Sequence, residues 1–149
     1  MHSSKILIDI NYINFAWGYQ NRGVIIDNTG NVYRYIIQDR ALPNDLETKI
    51  KNSKTINKVP TNMLQLIQSL SAQIRDVGEI PLKHVGFDGG ATTYNLYLID
   101  NKNNIKMTKL GQSGDWEGQN RDRPVSQLLS ILDHYKSMIW SPTGLTNER

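Results

Sequence analysis

The chain has no cysteine, which excludes disulfide bonds, thiolate metal ligands and a cysteine nucleophile. It also lacks any apolar run approaching the roughly 18–20 residues that cross a bilayer. The apolar stretch that begins at Ile6 is short and contains Asp9, which is not typical of a secretory signal. These absences predict a cytoplasmic protein without a membrane partner.

Histidine is scarce as well: His2, His84 and His134 are far apart, and no two of them have a spacing typical of metal ligands. The nucleophile motif GxSxG is absent. The sequence therefore predicts no metal, no cofactor and no catalytic residue of these kinds.

What the chain does contain is an ordinary globular composition. It has 149 residues, of which 38% are hydrophobic and 21% charged, enough for one substantial core. The net charge of +3 is mild, and the densest basic group is Lys49, Lys51, Lys54 and Lys58. Because no aromatic residue lies among these lysines, we interpret them as a solvated segment rather than a nucleic-acid surface.

Two β-hairpins and an N-terminal strand are predicted. Residues 5–10 form the first strand, and the runs 23–27 and 32–37 flank an Asn/Gly turn. The runs 94–99 and 105–110 form the second hairpin, with a further strand at His84–Asp88. The glycine-rich residues 111–123 are predicted to be loop.

Two principal helices complete the pattern. Apolar residues from Met63 to Val77 recur at helical spacing after a Thr61 cap and before Gly78. A second helix begins at Pro124. A short helix is predicted at 45–51, with the rest of 38–60 as loop.

The elements together predict a single α+β domain over residues 1–140 with a flexible tail at 141–149. Its architecture is a mainly antiparallel sheet, made of the two hairpins and the N-terminal strand, with the two principal helices packed on one face.

Two segments carry candidate partner-binding residues. One contains Asp115, Trp116, Glu117 and Arg121, in a setting with little apolar sequence to bury the indole. Loop aromatics beside charges are favoured at protein interfaces. Alternatively, Trp116 caps the core while Asp115 and Asn120 bond to turn amides.

The other segment contains Trp17 and Tyr19, whose spacing of two places both rings on one face of a strand. That face is core if a helix covers it and a recognition surface if it is open.

An alternative enzymatic hypothesis starts from Asp9. Residues 8–16 resemble the first strand of RNase H-like Holliday-junction resolvases, which gather several acids around Mg²⁺. The resemblance implies a Mg²⁺-dependent nuclease with Asp9, Asp88 and either Asp115 or Asp133 as ligands. The glycine expected after the aspartate pair is Asn11 here.

A second resemblance covers most of the chain. The segments 17–19, 23–27 and 30–35, followed by 87–90 and 114–120, are similar to a group of small bacterial proteins without an established activity. By size and character such a protein is similar to immunity proteins, which neutralise a toxin. We therefore expect a non-catalytic domain that binds a protein, most concretely an immunity protein with a toxin domain as its partner.

Overall fold

The structure is a computed structural model and describes residues 5–16, 18–78 and 80–140. The strands are β1 (Lys5–Asn14), β2 (Gln20–Ile26), β3 (Asn31–Ile36), β4 (Ser53–Lys58), β5 (Lys83–His84), β6 (Ala91–Ile99), β7 (Ile105–Gly114) and β8 (Trp116–Gln119). The helices are α1 (Leu46–Lys51), α2 (Thr61–Gln73) and α3 (Arg123–Lys136), followed by a 3-10 turn at Ser137–Ile139.

The strands form one sheet in the order β4-β3-β2-β1-β6-β7-β8-β5, and the neighbouring strands pair antiparallel. β1 lies in the middle, between β2 and β6. Helices α2 and α3 pack against each other and against one face of the sheet. The α+β fold with two principal helices on one face is confirmed.

Successive side chains of β1 point to opposite faces of the sheet, and the two faces differ in composition. Ile6, Ile8 and Ile10 point toward α2 and α3 and are buried in the main core. The intervening residues Leu7 and Asp9 point to the opposite face, since successive side chains of a strand alternate.

The short helix α1 covers the opposite face. Its N-cap is Asp45, whose carboxylate accepts a hydrogen bond from the Thr48 amide at 2.9 Å. Leu46 packs on a smaller apolar cluster that contains Tyr35 and Ile37. The sheet is therefore covered on both faces near β1, β2 and β3.

The first hairpin, β2–β3, is closed by a network around Asp27. Its carboxylate accepts hydrogen bonds from the Thr29 amide (2.9 Å), the Asn31 amide (3.0 Å) and the Tyr33 hydroxyl (2.8 Å). Burial alone would raise the pKa of Asp27, but the hydrogen bonds from Thr29, Tyr33 and Asn31 outweigh it and hold the pKa below 3.8.

We predict that Asp27→Asn lowers the free energy of unfolding by about 1 kcal/mol at neutral pH, because the partly exposed carboxylate is replaced by a weaker acceptor. The depressed pKa means that the carboxylate stabilises the fold fully above 3.8 and loses this effect as the pH falls through its folded-state pKa. Urea titrations of both proteins across this range should show the difference shrinking with acidification. A difference that stays constant would contradict the assignment.

Helix α2 differs from the prediction at both ends. Thr61 is its first residue and Pro60 precedes it as the N-cap, so no side chain caps the helix. The helix ends at Gln73, because Ile74 is already extended, and Val77 is exposed. The prediction that it continues to Val77 was wrong, since apolar spacing persists beyond the last helical turn.

Two segments predicted as loop are partly strand. Residues 53–58 form β4 at one edge of the sheet, and residues 111–119 continue β7 and form β8. The strand predicted at His84–Asp88 is limited to Lys83–His84. β4 is an edge strand, and its mainly polar residues lack a clear apolar alternation.

No helix of the described residues is long and apolar enough to span a membrane. The tail predicted at 141–149 lies outside the described residues.

Candidate functional site

A recess of about 450 Å³ lies at one end of the central strands. It is lined by Ile13, Asn14, Phe15, Ala16, Asp88, Gly90, Ala91, Asp115 and Trp116. We call it the Phe15–Trp116 groove. Its walls come from three places that are distant in sequence: the turn after β1, the segment before β6, and the junction of β7 and β8.

The turn after β1 exposes an aromatic side chain. Phe15 is 54% exposed, and its ring centroid lies 5.4 Å from that of the half-buried Tyr19. The Arg40 guanidinium lies 5.1 Å from the Phe15 ring centroid and 5.7 Å from that of Tyr19, which are cation–π distances. A cation of the chain itself, Arg40, therefore lies over the Phe15–Tyr19 pair.

Asn14 joins this turn to the opposite wall. Its Oδ1 accepts a hydrogen bond from the Ala16 amide at 2.8 Å, and its Nδ2 donates to the Asp88 carbonyl at 3.2 Å. Nδ2 also lies 2.9 Å from the Tyr12 hydroxyl. These bonds join the two walls next to Ile13 and Ala91, which pair in the β1–β6 ladder.

Asp115 holds the second wall together. Its carboxylate accepts hydrogen bonds from the amides of Gly89 (2.9 Å) and Gly90 (3.2 Å). Its backbone carbonyl accepts from the Val85 amide at 2.8 Å, and its own amide donates to the Gly90 carbonyl at 3.0 Å. Gly90 has a φ of 72°, and a Cβ there would overlap the Ile13 carbonyl, so glycine is required for this close approach.

An aromatic cluster continues from the groove onto the surface. The His84 ring lies between two others, 4.7 Å from the Trp116 ring centroid and 4.6 Å from that of Phe87. Trp116 is 48% exposed and Phe87 is 84% exposed. His84 and Trp116 are opposite each other on β5 and β8, so the strand pairing itself positions the stack.

The structure thus brings some of the predicted partner-binding residues together and separates others. Asp115 and Trp116 line the groove, and Tyr19 lies behind Phe15. Glu117 is exposed beside the groove, opposite Lys83.

Arg121 is exposed but lies beyond the far end of β8, away from Trp116. Tyr19 lies between β1 and β2 rather than within a strand, so the argument from strand spacing does not apply to it. Trp17 lies outside the described residues.

Both alternatives for the Trp116 segment are partly realised. Asp115 bonds to backbone amides, as the packing alternative predicts. Asn120 is buried, and its Oδ1 accepts a hydrogen bond from the Asp122 amide at 2.8 Å. The indole of Trp116 is nevertheless half-exposed instead of capping the core.

The acids proposed as Mg²⁺ ligands do not converge. Asp88 and Asp115 share the groove, whereas Asp9 is fully buried on the α1 face. Asp133 lies on α3 and accepts a hydrogen bond from the Tyr94 hydroxyl at 2.9 Å. Among the described residues, no three His, Asp or Glu side chains are grouped so that they could hold a metal ion.

Asp9 instead belongs to a buried network. Its carboxylate accepts hydrogen bonds from Lys49 Nζ and from the Tyr35 hydroxyl, each at 2.7 Å. The Asn11 amide group donates to Tyr35 and to Asn21 at 2.7 Å. Burial raises the pKa of Asp9 above 3.8, although the Lys49 charge and the two hydrogen bonds act in the opposite direction.

The network extends to the groove through one further residue. Asn21 Nδ2 donates to the Asn44 side chain at 2.9 Å and to the Tyr19 hydroxyl at 3.1 Å. Tyr19 in turn contacts Phe15. The buried polar residues therefore support the first wall of the groove.

The basic segment was misinterpreted in one respect. Lys49 is buried against Asp9, and Lys51 forms a surface pair with Glu47 at 3.5 Å. Lys54 and Lys58 are exposed on β4. The four lysines do not form one continuous basic surface.

Phe15, His84 and Phe87 were not among the predicted partner-binding residues. Only Phe87 had a local signal, since it directly precedes the turn-forming Asp88, Gly89 and Gly90. Their convergence follows from the sheet order, which the sequence pattern did not provide.

Comparison with protein-family models, with curated proteins and with solved structures found no match for this chain.

Proposed function

We propose that this chain is a non-catalytic protein-binding domain and that the Phe15–Trp116 groove, together with the exposed aromatic cluster beside it, is its binding surface. The observation that carries the proposal is the grouping of Phe15, Phe87 and Trp116, which are all exposed at one end of the sheet. Single exposed apolar residues are common, but adjacent ones rimmed by polar residues mark interaction sites.

A protein fits this surface better than a small molecule does. Small-molecule sites enclose most of the ligand surface, whereas the ring of Phe87 is 84% exposed and stands outside the recess. Aromatic side chains that protrude beside a groove supply large contact area at low entropic cost, as expected for the central residues of a protein interface.

The most concrete form of this function is an immunity protein that binds and neutralises a toxin domain. Its support is the small size of the domain and the aromatic surface flanked by Asp88 and Glu117. The inference rests on an analogy of size and character, so the test has to identify the partner and its effect on cells.

We predict that replacing both Phe87 and Trp116 with serine weakens partner binding by at least about 30-fold while leaving the fold intact. Truncating a central aromatic residue typically costs about 2 kcal/mol of binding energy, which corresponds to an affinity loss of about 30-fold. The partner is first captured from the source cells by the tagged wild-type chain, identified by mass spectrometry, and purified. Its affinity for each variant is then measured by calorimetry.

The matched control replaces Val77 and Ile105 with serine; both are exposed apolar residues that lie outside the groove. This control should bind like the wild type. For the immunity function, the purified partner should be toxic when expressed alone, and the wild type but not the Phe87/Trp116 variant should protect the cells. Equal binding by both double variants would refute the proposed surface, and a harmless partner would refute the immunity function.

A further inference from the structure

We propose that the Phe15–Trp116 groove receives an arginine side chain of the partner. This inference rests on the proposed function and adds to it the chemistry of the group that is recognised. It starts from the residues that line the groove, which include the exposed aromatic residues Phe15 and Trp116 and two acidic residues, Asp88 and Asp115. No lysine or arginine is among the described residues that line it.

Both carboxylates can accept further hydrogen bonds. Asp115 accepts from two backbone amides, whereas a carboxylate offers about four acceptor sites. Asp88 is exposed, and its carboxylate has no hydrogen-bond or ion-pair partner among the residues that the structure describes. A cation that enters the groove therefore finds acceptors without displacing an internal partner.

Charged residues of both signs lie around the rim of the groove. Glu117 adds a third carboxylate beside Trp116, and it faces Lys83 across β5 and β8. Arg40 stacks on Phe15 and Tyr19 but does not line the recess. The cavity side of the site is thus acidic, although the whole chain carries a net charge of +3.

Arginine suits this combination better than other side chains. Its guanidinium is planar, stacks on aromatic faces and pairs with a carboxylate through two parallel N–H groups. The chain itself contains two such arginine–aromatic contacts: Arg40 lies over Phe15, and Arg22 lies over Trp140 at 4.7 Å. The recess of about 450 Å³ lies within the usual range of binding cavities.

The test uses the full chain and a peptide probe, acetyl-Gly-Arg-Gly-amide, with the citrulline peptide as the neutral isostere. We follow the indole N–H of Trp116 and the amides of Gly89 and Gly90 by NMR, and we assign the indole signal with Trp116→Phe. The arginine peptide should shift all three signals saturably in the millimolar range. The citrulline peptide should bind about fivefold more weakly, as expected for an exposed cation–π and carboxylate contact.

Asp88→Asn should weaken binding of the arginine peptide by about fivefold. Glu47→Gln, which removes the same charge from an exposed residue of α1, should leave the affinity unchanged. Equal binding of the two peptides, no shift at the groove, or an Asp88→Asn variant that binds like the wild type would overturn the inference.

These outcomes are separate from those of the proposed function. A partner that depends on Phe87 and Trp116 but not on Asp88, together with a groove that does not respond to the arginine peptide, would refute the arginine site and leave the protein-binding function standing. A groove that binds the peptide in a chain without a protein partner would refute the proposed function alone.

Discussion

Replacing Lys49 with methionine should lower the free energy of unfolding by about 4 kcal/mol at neutral pH. Methionine retains most of the apolar stem but removes the charge that lies 2.7 Å from Asp9. Asp9 is fully buried, so its carboxylate would then be an uncompensated charge inside the protein. Urea denaturation of the variant and the wild type measures the loss.

The stability loss caused by Lys49→Met should depend on pH. Burial already raises the folded-state pKa of Asp9 above 3.8, and removing Lys49 raises it further. Between 3.8 and the raised pKa the folded state binds more protons than the unfolded state, so stability increases as the pH falls through this window. The deficit of Lys49→Met should therefore shrink on acidification.

Two further variants separate the effect of breaking the buried Asp9–Lys49 pair from the general effect of removing a lysine. Lys51→Met removes a charge whose partner, Glu47, is as exposed as itself, and should change stability by less than about 0.5 kcal/mol. Combining Asp9→Asn with Lys49→Met removes both charges and keeps an acceptor for the Tyr35 hydroxyl, so most of the loss should be recovered. A Lys49→Met variant as stable as Lys51→Met would show that the pair is unimportant.

The sequence predicted the hairpins and the two long helices because their signals are local. The turn between β2 and β3 has an Asn/Gly composition and is flanked by β-branched residues, and Pro124 marks the first turn of α3. These features depend only on neighbours in the chain, so no knowledge of the tertiary structure was needed.

The strands inside the two segments predicted as loop were missed for a physical reason. β4 contains one apolar residue, Ile56, and its other side chains are polar, as is usual for an edge strand that must not pair with another chain. The segment 111–119 is rich in glycine, and its pairing depends on the close approach of β7 to β6 and β8. Neither segment therefore shows the apolar alternation that predicts a strand from the local sequence.

The candidate site was likewise predictable only where its signal lies in the local sequence. Asp115 and Trp116 were recognisable because an indole between two acids is unusual in a polar segment. Phe15 joins them across about 100 positions of sequence, which only the placement of β1 beside β6 brings about. Lys49 was interpreted as solvated because its buried ion-pair partner, Asp9, lies 40 residues away in the sequence.

The other large effect is expected at Gly23, in the middle of β2. A Cβ at this position would overlap the phenol oxygen of Tyr35 and the carbonyl oxygen of Ile10. Tyr35 is fully buried and hydrogen-bonded to Asp9 and Asn11, so it cannot move aside without breaking the buried network. The missing side chain at Gly23 is what allows Tyr35 to reach β1 across β2.

Gly23→Ala should therefore lower the free energy of unfolding by about 3 kcal/mol, at the upper end of the range for overpacked cores. The control is Gly86→Ala: the nearest atom to a Cβ there is an Asp115 carboxylate oxygen at 3.5 Å, an ordinary contact distance. Urea denaturation should place the control within about 0.5 kcal/mol of the wild type. Because the Ile10 carbonyl belongs to the backbone, removing the Tyr35 hydroxyl with Tyr35→Phe should not rescue Gly23→Ala. Rescue by Tyr35→Phe, or equal stability of the two alanine variants, would contradict this account of how β1, β2 and β3 pack.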